Sequence, residues 1–168
     1  LKKMNGMIKF LNRRKIFGED VADLFVKSSK LKKIKCNSKI VPRVIDELPL
    51  MFATCALGTK GQSMFTNLLE LRYKEEDRIK LMQKGLRKFG IKTYSTKDSL
   101  RIFGKTKFNL KKKIVIDPGN DHRIAMCFYI IAQLLGGNIL IKNFNTVNSS
   151  FPNFLKIQKK IGAKHEIK

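Results

Sequence analysis

One short phrase occurs three times in this chain and constrains its fold more than any other feature. It reads Leu1-Lys2-Lys3-Met4-Asn5-Gly6, then Leu86-Arg87-Lys88-Phe89-Gly90, then Gln158-Lys159-Lys160-Ile161-Gly162. Each is a basic turn and a hydrophobic residue closing on glycine, followed by a strand-like stretch. Cations suit the negative end of a helix, and glycine suits the left-handed cap that ends it. Each phrase therefore reads as a helix C-terminus feeding a strand.

Between these phrases the hydrophobic period keeps switching between two and 3.6. Alternation predicts strands over 7–11, 21–26, 33–36 and 63–66. A hairpin is expected from 91–94 and 100–103 around Lys97-Asp98, and further strands over 114–116, 139–141 and 163–167. Helical spacing predicts helices over 45–57, 74–89, 121–135 and 152–161. In the second, Ile79, Met82, Leu86 and Phe89 share one face, and Gly90 stops it. The order is repetitive: residues 34–103 read βαβαββ and residues 114–167 read βαβαβ. The expected fold class is α/β, built from repeated βαβαββ units. Two units span about 31–105 and 111–168, and residues 1–30 are the tail of a third. The chain opens at Leu1, without an initiator methionine. It is expected to be part of something longer.

Composition narrows the functional classes. The 168 residues suffice for one domain with a core, and 43% hydrophobic with 29% charged residues excludes disorder. The most apolar stretch, 124–135, is interrupted by Gln133 and falls short of the ~20 residues a membrane helix needs. Cys36, Cys55 and Cys127 are odd in number, widely spaced and without a CxxC. They suit reduced thiols of the cytoplasm, not a disulfide framework or metal knuckle. The net charge of +23 raises the alternative of a basic nucleic-acid-binding module. Against it, 28 lysines outnumber 8 arginines and lie scattered along the chain, whereas nucleic-acid readers lean on arginine forks. A solvated lysine-rich surface that draws small anions fits better. No nucleic acid and no membrane are expected as partners.

Three polar clusters fall where helices should begin. Asp46 precedes the apolar positions Leu50, Ala53 and Leu57, and its plainest role is a cap; embedded among Val44, Ile45, Leu48 and Pro49, it is also a candidate base. In the segment 70–78, Lys74 and Arg78 are four apart, and Glu75 lies three before Arg78. Early acids are ordinary there. Cations at the positive end of a helix are not, and they suggest that an anion is expected. The third cluster, 118–123, sets Arg123 at a helix start beside Asp121, a cap, and His122. An arginine fork suits a carboxylate or phosphate. No His or Cys stands at ligand spacing, so no metal is expected. Two acids and three cations suit proton transfer on an anionic substrate, and the residues themselves carry the argument no further.

Val44-Ile45-Asp46-Glu47-Leu48-Pro49, Leu71-Arg72-Tyr73-Lys74-Glu75-Glu76-Asp77-Arg78, Asn120-Asp121-His122-Arg123-Ile124-Ala125-Met126 and Ser150-Phe151-Pro152-Asn153-Phe154 occur in that order. Together they resemble the C-terminal signatures of the 5-enolpyruvylshikimate-3-phosphate synthases. Val21-Ala22-Asp23-Leu24 resembles a stretch upstream of them, so the likeness covers essentially the whole chain. The enolpyruvyl transferases acting on UDP-N-acetylglucosamine are the related alternative, but they lack this combination of motifs. The resemblance implies an inside-out α/β barrel fold, two domains of three βαβαββ units, with this chain the C-terminal one and the N-terminal domain absent. It implies transfer of the enolpyruvyl group of phosphoenolpyruvate to the 5-hydroxyl of shikimate 3-phosphate, with loss of phosphate and no cofactor. The complete protein is expected to be a cytoplasmic monomer of aromatic amino acid biosynthesis, and the fragment inactive alone. By the same resemblance Asp46 and Glu75 would be catalytic, and Asp46 and Lys74 would contact shikimate 3-phosphate. Arg78 and Arg123 would hold phosphoenolpyruvate, with His122 in support. Where some relatives carry a lysine just before the S/T-F-P motif, this chain has Ser149.

Overall fold

The spacing of Ile79, Met82 and Leu86 turns them to one side of helix α2 (Arg78–Lys88), and all three are fully buried. The computed structural model describes residues 1–166. The face of α2 meets α1 (Leu48–Gly58) and α3 (His122–Leu135), and the three helices pack together. They share one core with a three-stranded sheet of β3 (Gly61–Phe65), β4 (Lys92–Ser95) and β5 (Leu100–Gly104). Phe52, Phe65, Leu86, Ile102 and Phe128 are among its fully enclosed members. Burying each such side chain is worth ~1.5–3 kcal/mol.

The sheet order is β3-β5-β4, antiparallel throughout, and a parallel bridge from Lys35 to Met64 extends it. A second, two-stranded sheet pairs β6 (Ile114–Ile116) in parallel with β7 (Ile139–Ile141). The crossover between them is α3, as a parallel pair requires. Nearly apolar throughout, α3 also buries its other side: Ala125 and Tyr129 pack with Val147 and Phe154, the last at the start of α4 (Phe154–Lys160).

Beyond Met4, which belongs to this core, residues 7–27 stand apart from it. Strands β1 (Met7–Ile16) and β2 (Glu19–Lys27) form an antiparallel ribbon closed at Phe17 and Gly18, both at positive φ. Met4 is buried at its base, where Lys32 N donates to Met4 O at 2.8 Å. Along the ribbon Phe10, Leu24, Phe25 and Val26 are exposed.

The sequence expectations hold for most elements, with corrections at their ends. The helix expected over 74–89 begins only at Arg78, because Asp77 caps it, its side chain accepting from Lys80 N at 2.9 Å. Lys74 and Glu75 therefore lie in the preceding loop, and Lys74 and Arg78 do not share a helix face. The helix expected over 45–57 is preceded by a 3-10 segment, Ser38–Glu47, and begins at Leu48, with Pro49 in its first turn. The strand expected over 33–36 is only the Lys35 bridge. The helix expected from 152 starts at Phe154. Of the strand expected over 163–167, residues 163–166 are irregular, and Ile167 lies outside the described residues.

Candidate functional site

Asp46 is the last residue but one of the 3-10 segment ahead of α1. It is not a cap: α1 is entered through Glu47, and no side chain bonds the helix's first amides. Its carboxylate instead receives cations. Arg78 Nη1 donates to Oδ1 at 2.8 Å, and Lys74 Nζ lies 3.5 Å from the same oxygen. From the third segment, Arg123 Nη1 donates to the Asp46 carbonyl at 3.2 Å and to Glu47 Oε2 at 3.0 Å. Cations from two other segments thus meet at one residue.

Arg78 is the hub. It is the first residue of α2, a place where a cation opposes the helix dipole. Its side chain is 1% exposed, and burying a lone charge there would be costly. The chain supplies three carboxylates in compensation: Nε donates to Asp121 Oδ2 at 2.6 Å, Nη1 to Asp46, and Nη2 to Glu75 Oε2 at 2.7 Å. The anion anticipated at this helix start is thus, in part, the chain's own. Burial opposes the charge on Arg78, but the bond and charge of Asp121, then Glu75 and Asp46, outweigh it and raise the pKa further. For Asp46, burial alone would raise the pKa. The hydrogen bond from Arg78 and the charges of Lys74 and Arg123 reverse that and hold it below the ordinary aspartate value. Lys74 is raised, first by its bond to Glu70 Oε1 at 2.5 Å, despite some burial, and then by Asp46.

Asp121 caps α3, its Oδ1 accepting from Arg123 N at 2.9 Å and Ile124 N at 3.1 Å. His122 Nδ1 lies 3.9 Å from Glu75 Oε1. The turn before α3 is tied to the α2 loop, since Glu76 Oε1 accepts from Asn120 N at 3.3 Å. Gly119 (φ +63) leaves room for that carboxylate; a Cβ would stand 2.6 Å from it. Thr146 Oγ1 donates to Asn120 O, and Ser149 Oγ to Thr146 O in its own turn. Ser149 brings no charge here.

The structure therefore brings Asp46, Lys74, Glu75, Arg78 and Arg123 together, with His122 beside Glu75. Sequence reasoning passed over Glu47, Glu70 and Glu76 as partners and saw in Asp121 only a cap.

The family model described as EPSP synthase (3-phosphoshikimate 1-carboxyvinyltransferase) matches residues 1–157. The chain belongs to that family. Among curated EPSP synthase relatives, the 3-phosphoshikimate 1-carboxyvinyltransferase of Zymomonas mobilis is 40% identical over 170 residues, 99% of this chain and 37% of the relative. That of Petrotoga mobilis is 39% identical over 161 residues, again 37% of its length. The chain thus spans a little over a third of these relatives. Among solved structures, EPSP synthase from Acinetobacter baumannii superposes with a TM-score of 0.89 at 37% identity, covering 98% of this chain and 38% of the other. The enolpyruvyl transferase NikO from Streptomyces tendae, at 15% identity and TM-score 0.60, shares the fold. The α/β class expected from the repeats and the enolpyruvyl transferase fold implied by the resemblance are both observed. Among the described residues, no helix is long and apolar enough to cross a membrane.

Proposed function

We propose that this chain contributes one wall of a site that transfers the enolpyruvyl group of phosphoenolpyruvate to the 5-hydroxyl of shikimate 3-phosphate. The observation that carries this reading is the convergence of Lys74, Arg78 and Arg123 on Asp46, with Glu75 on the far side of Arg78. Two cations at helix starts and a third in the loop before α2 suit substrates that each carry a carboxylate and a phosphate. Asp46 and Lys74 contact shikimate 3-phosphate. Asp46, ionised at neutral pH, accepts the hydroxyl proton as the oxygen bonds to the central carbon of phosphoenolpyruvate. Glu75 delivers a proton to the methylene carbon, giving a tetrahedral adduct. It then takes a proton back as the carbon–oxygen bond to phosphate breaks.

Arg123, its side chain 36% exposed, is the cation open to phosphoenolpyruvate. Arg78 holds the same ligand through its terminal nitrogens, in place of part of its carboxylate shell. His122 orders Glu75. No cofactor takes part. The units at about 31–105 and 111–168, with the tail at 1–30, form part of a C-terminal domain, and an N-terminal domain closes over the site in the cytoplasmic monomer.

The experiment is phosphate release from phosphoenolpyruvate plus shikimate 3-phosphate. It compares the protein of the full reading frame that holds this sequence with the 168 residues alone. The full protein should turn over and the chain alone should not, because closure and positioning supply much of the catalysis. In the full protein Glu75→Gln should slow turnover ~10²–10⁴-fold. Arg123→Lys, which keeps charge but loses the fork, should weaken phosphoenolpyruvate about tenfold or more. A full protein without phosphate release, or a Glu75→Gln variant with normal turnover, would overturn the reading.

A further inference from the structure

Asp121 is fully buried, and its two oxygens serve different helices. Oδ1 holds the first turn of α3 through the amides of Arg123 and Ile124, while Oδ2 receives Nε of Arg78, the first residue of α2, 43 positions away. The other carboxylates on Arg78 are far more open, Asp46 at 40% and Glu75 at 44% exposure. A guanidinium is planar and rigid. Once Nε is fixed, the places of both terminal nitrogens follow, and with them the points at which Asp46 and Glu75 are met.

We propose that Asp121 is a positioning residue. It sets the plane and depth of Arg78, and through the same carboxylate it fixes the backbone from which Arg123 projects. Two arginines from separate segments are thereby registered to one another. A cap alone would need only Oδ1, and Ser or Asn would serve it equally well. Compensating the buried charge of Arg78 accounts for a carboxylate beside it, but not for one side chain shared between that guanidinium and the first turn of another helix. The consequence for substrate rests on the function proposed above; the consequence for Arg78 does not.

The test uses the protein of the full reading frame with Asp121→Ser and Asp121→Asn. Serine keeps the cap but cannot reach Arg78. Asparagine keeps the shape but can present its oxygen to only one of the two partners. The first readout is the Nε–H resonance of Arg78 by nitrogen-15 NMR, assigned with Arg78→Lys. In Asp121→Ser its hydrogen exchange should accelerate about tenfold or more while the amides of α3 stay protected; in Asp121→Asn either it or the amides of Arg123 and Ile124 should accelerate, whichever partner loses the oxygen. The second readout is kinetic: KM for phosphoenolpyruvate should rise about ten- to a hundredfold, with a smaller fall in kcat. If Asp121→Ser does not fold, Asp121→Asn decides. An unchanged Arg78 resonance in Asp121→Ser, an Asp121→Asn variant in which neither Arg78 nor the first amides of α3 change, or lower heat stability with unchanged KM overturns the proposal and leaves Asp121 a cap. A wild-type protein without transferase activity would overturn the proposed function instead, and the NMR arm would still decide the positioning role.

Discussion

Arg78 meets three carboxylates that differ in their access to water, and the difference assigns their behaviour. Asp121 is sealed, while Asp46 is partly open and can still exchange protons with solvent. Because Arg78, Lys74 and Arg123 lower the pKa of Asp46 on folding, its contribution to stability is present above the unfolded value of ~3.9 and is lost as pH falls through the lower folded value. Denaturant unfolding of wild type and Asp46→Asn from pH 7 to 3 should show a wild-type advantage at neutrality that shrinks below about pH 4. At this exposure it should be at most ~1 kcal/mol. A constant difference across that range would mean that Asp46 carries no coupled charge. Of the six residues singled out from the sequence, Arg78 and Arg123 are flagged by a local rule, a cation at a helix start; Asp46 reads first as a cap, the acids of 70–78 as ordinary, and the role of His122 comes from the family resemblance. The second oxygen of Asp121 was not visible, because its partner lies 43 residues away and a cap explains the residue completely at short range.

Helix packing draws one position especially close. Gly85 on α2 faces the ring of Phe128 on α3, and an added Cβ would stand 2.0 Å from its Cζ. Alanine normally improves a helix interior by ~1 kcal/mol over glycine. Here the ring must move, and overpacking costs ~1–3 kcal/mol, so Gly85→Ala should lower the denaturation midpoint. Pairing it with Phe128→Leu should recover part of the loss, and an undiminished midpoint in the single variant would show that the ring has room. The closeness also matters for the site, since α2 and α3 carry Arg78 and Arg123 at the ends that begin near each other. Element type was readable wherever the period was long and clean, as in α2, α3 and the β4–β5 hairpin. Element starts were less so. Asp77 outcompetes its charged neighbours as a cap, and the 3-10 segments Ser38–Glu47 and Phe144–Ser149 have no period of their own to announce them.

Across the whole molecule, order should be uneven. The β1–β2 ribbon pairs only with itself among the described residues, exposes apolar side chains, and is fastened at Met4. A two-stranded ribbon is marginal in water. In the 168-residue chain its amides should exchange hydrogen rapidly, while those around Phe52, Met82 and Phe128 are protected; ribbon amides as slow as these would contradict that ranking. Charge is as unevenly placed as order. Five of the chain's thirteen acidic residues (Asp46, Glu47, Glu70, Glu75 and Asp121) pair with the cations of the site, in a protein of net charge +23. The surplus of positive charge therefore lies elsewhere on the surface. Under the proposed function, an arriving anion should be guided by that outlying lysine field, which physiological salt screens beyond ~8 Å. Its final hold should come by exchange, as it displaces carboxylates from cations they already occupy. Arrival should be salt-sensitive and retention much less so, which makes this a site whose speed and grip are governed by different residues.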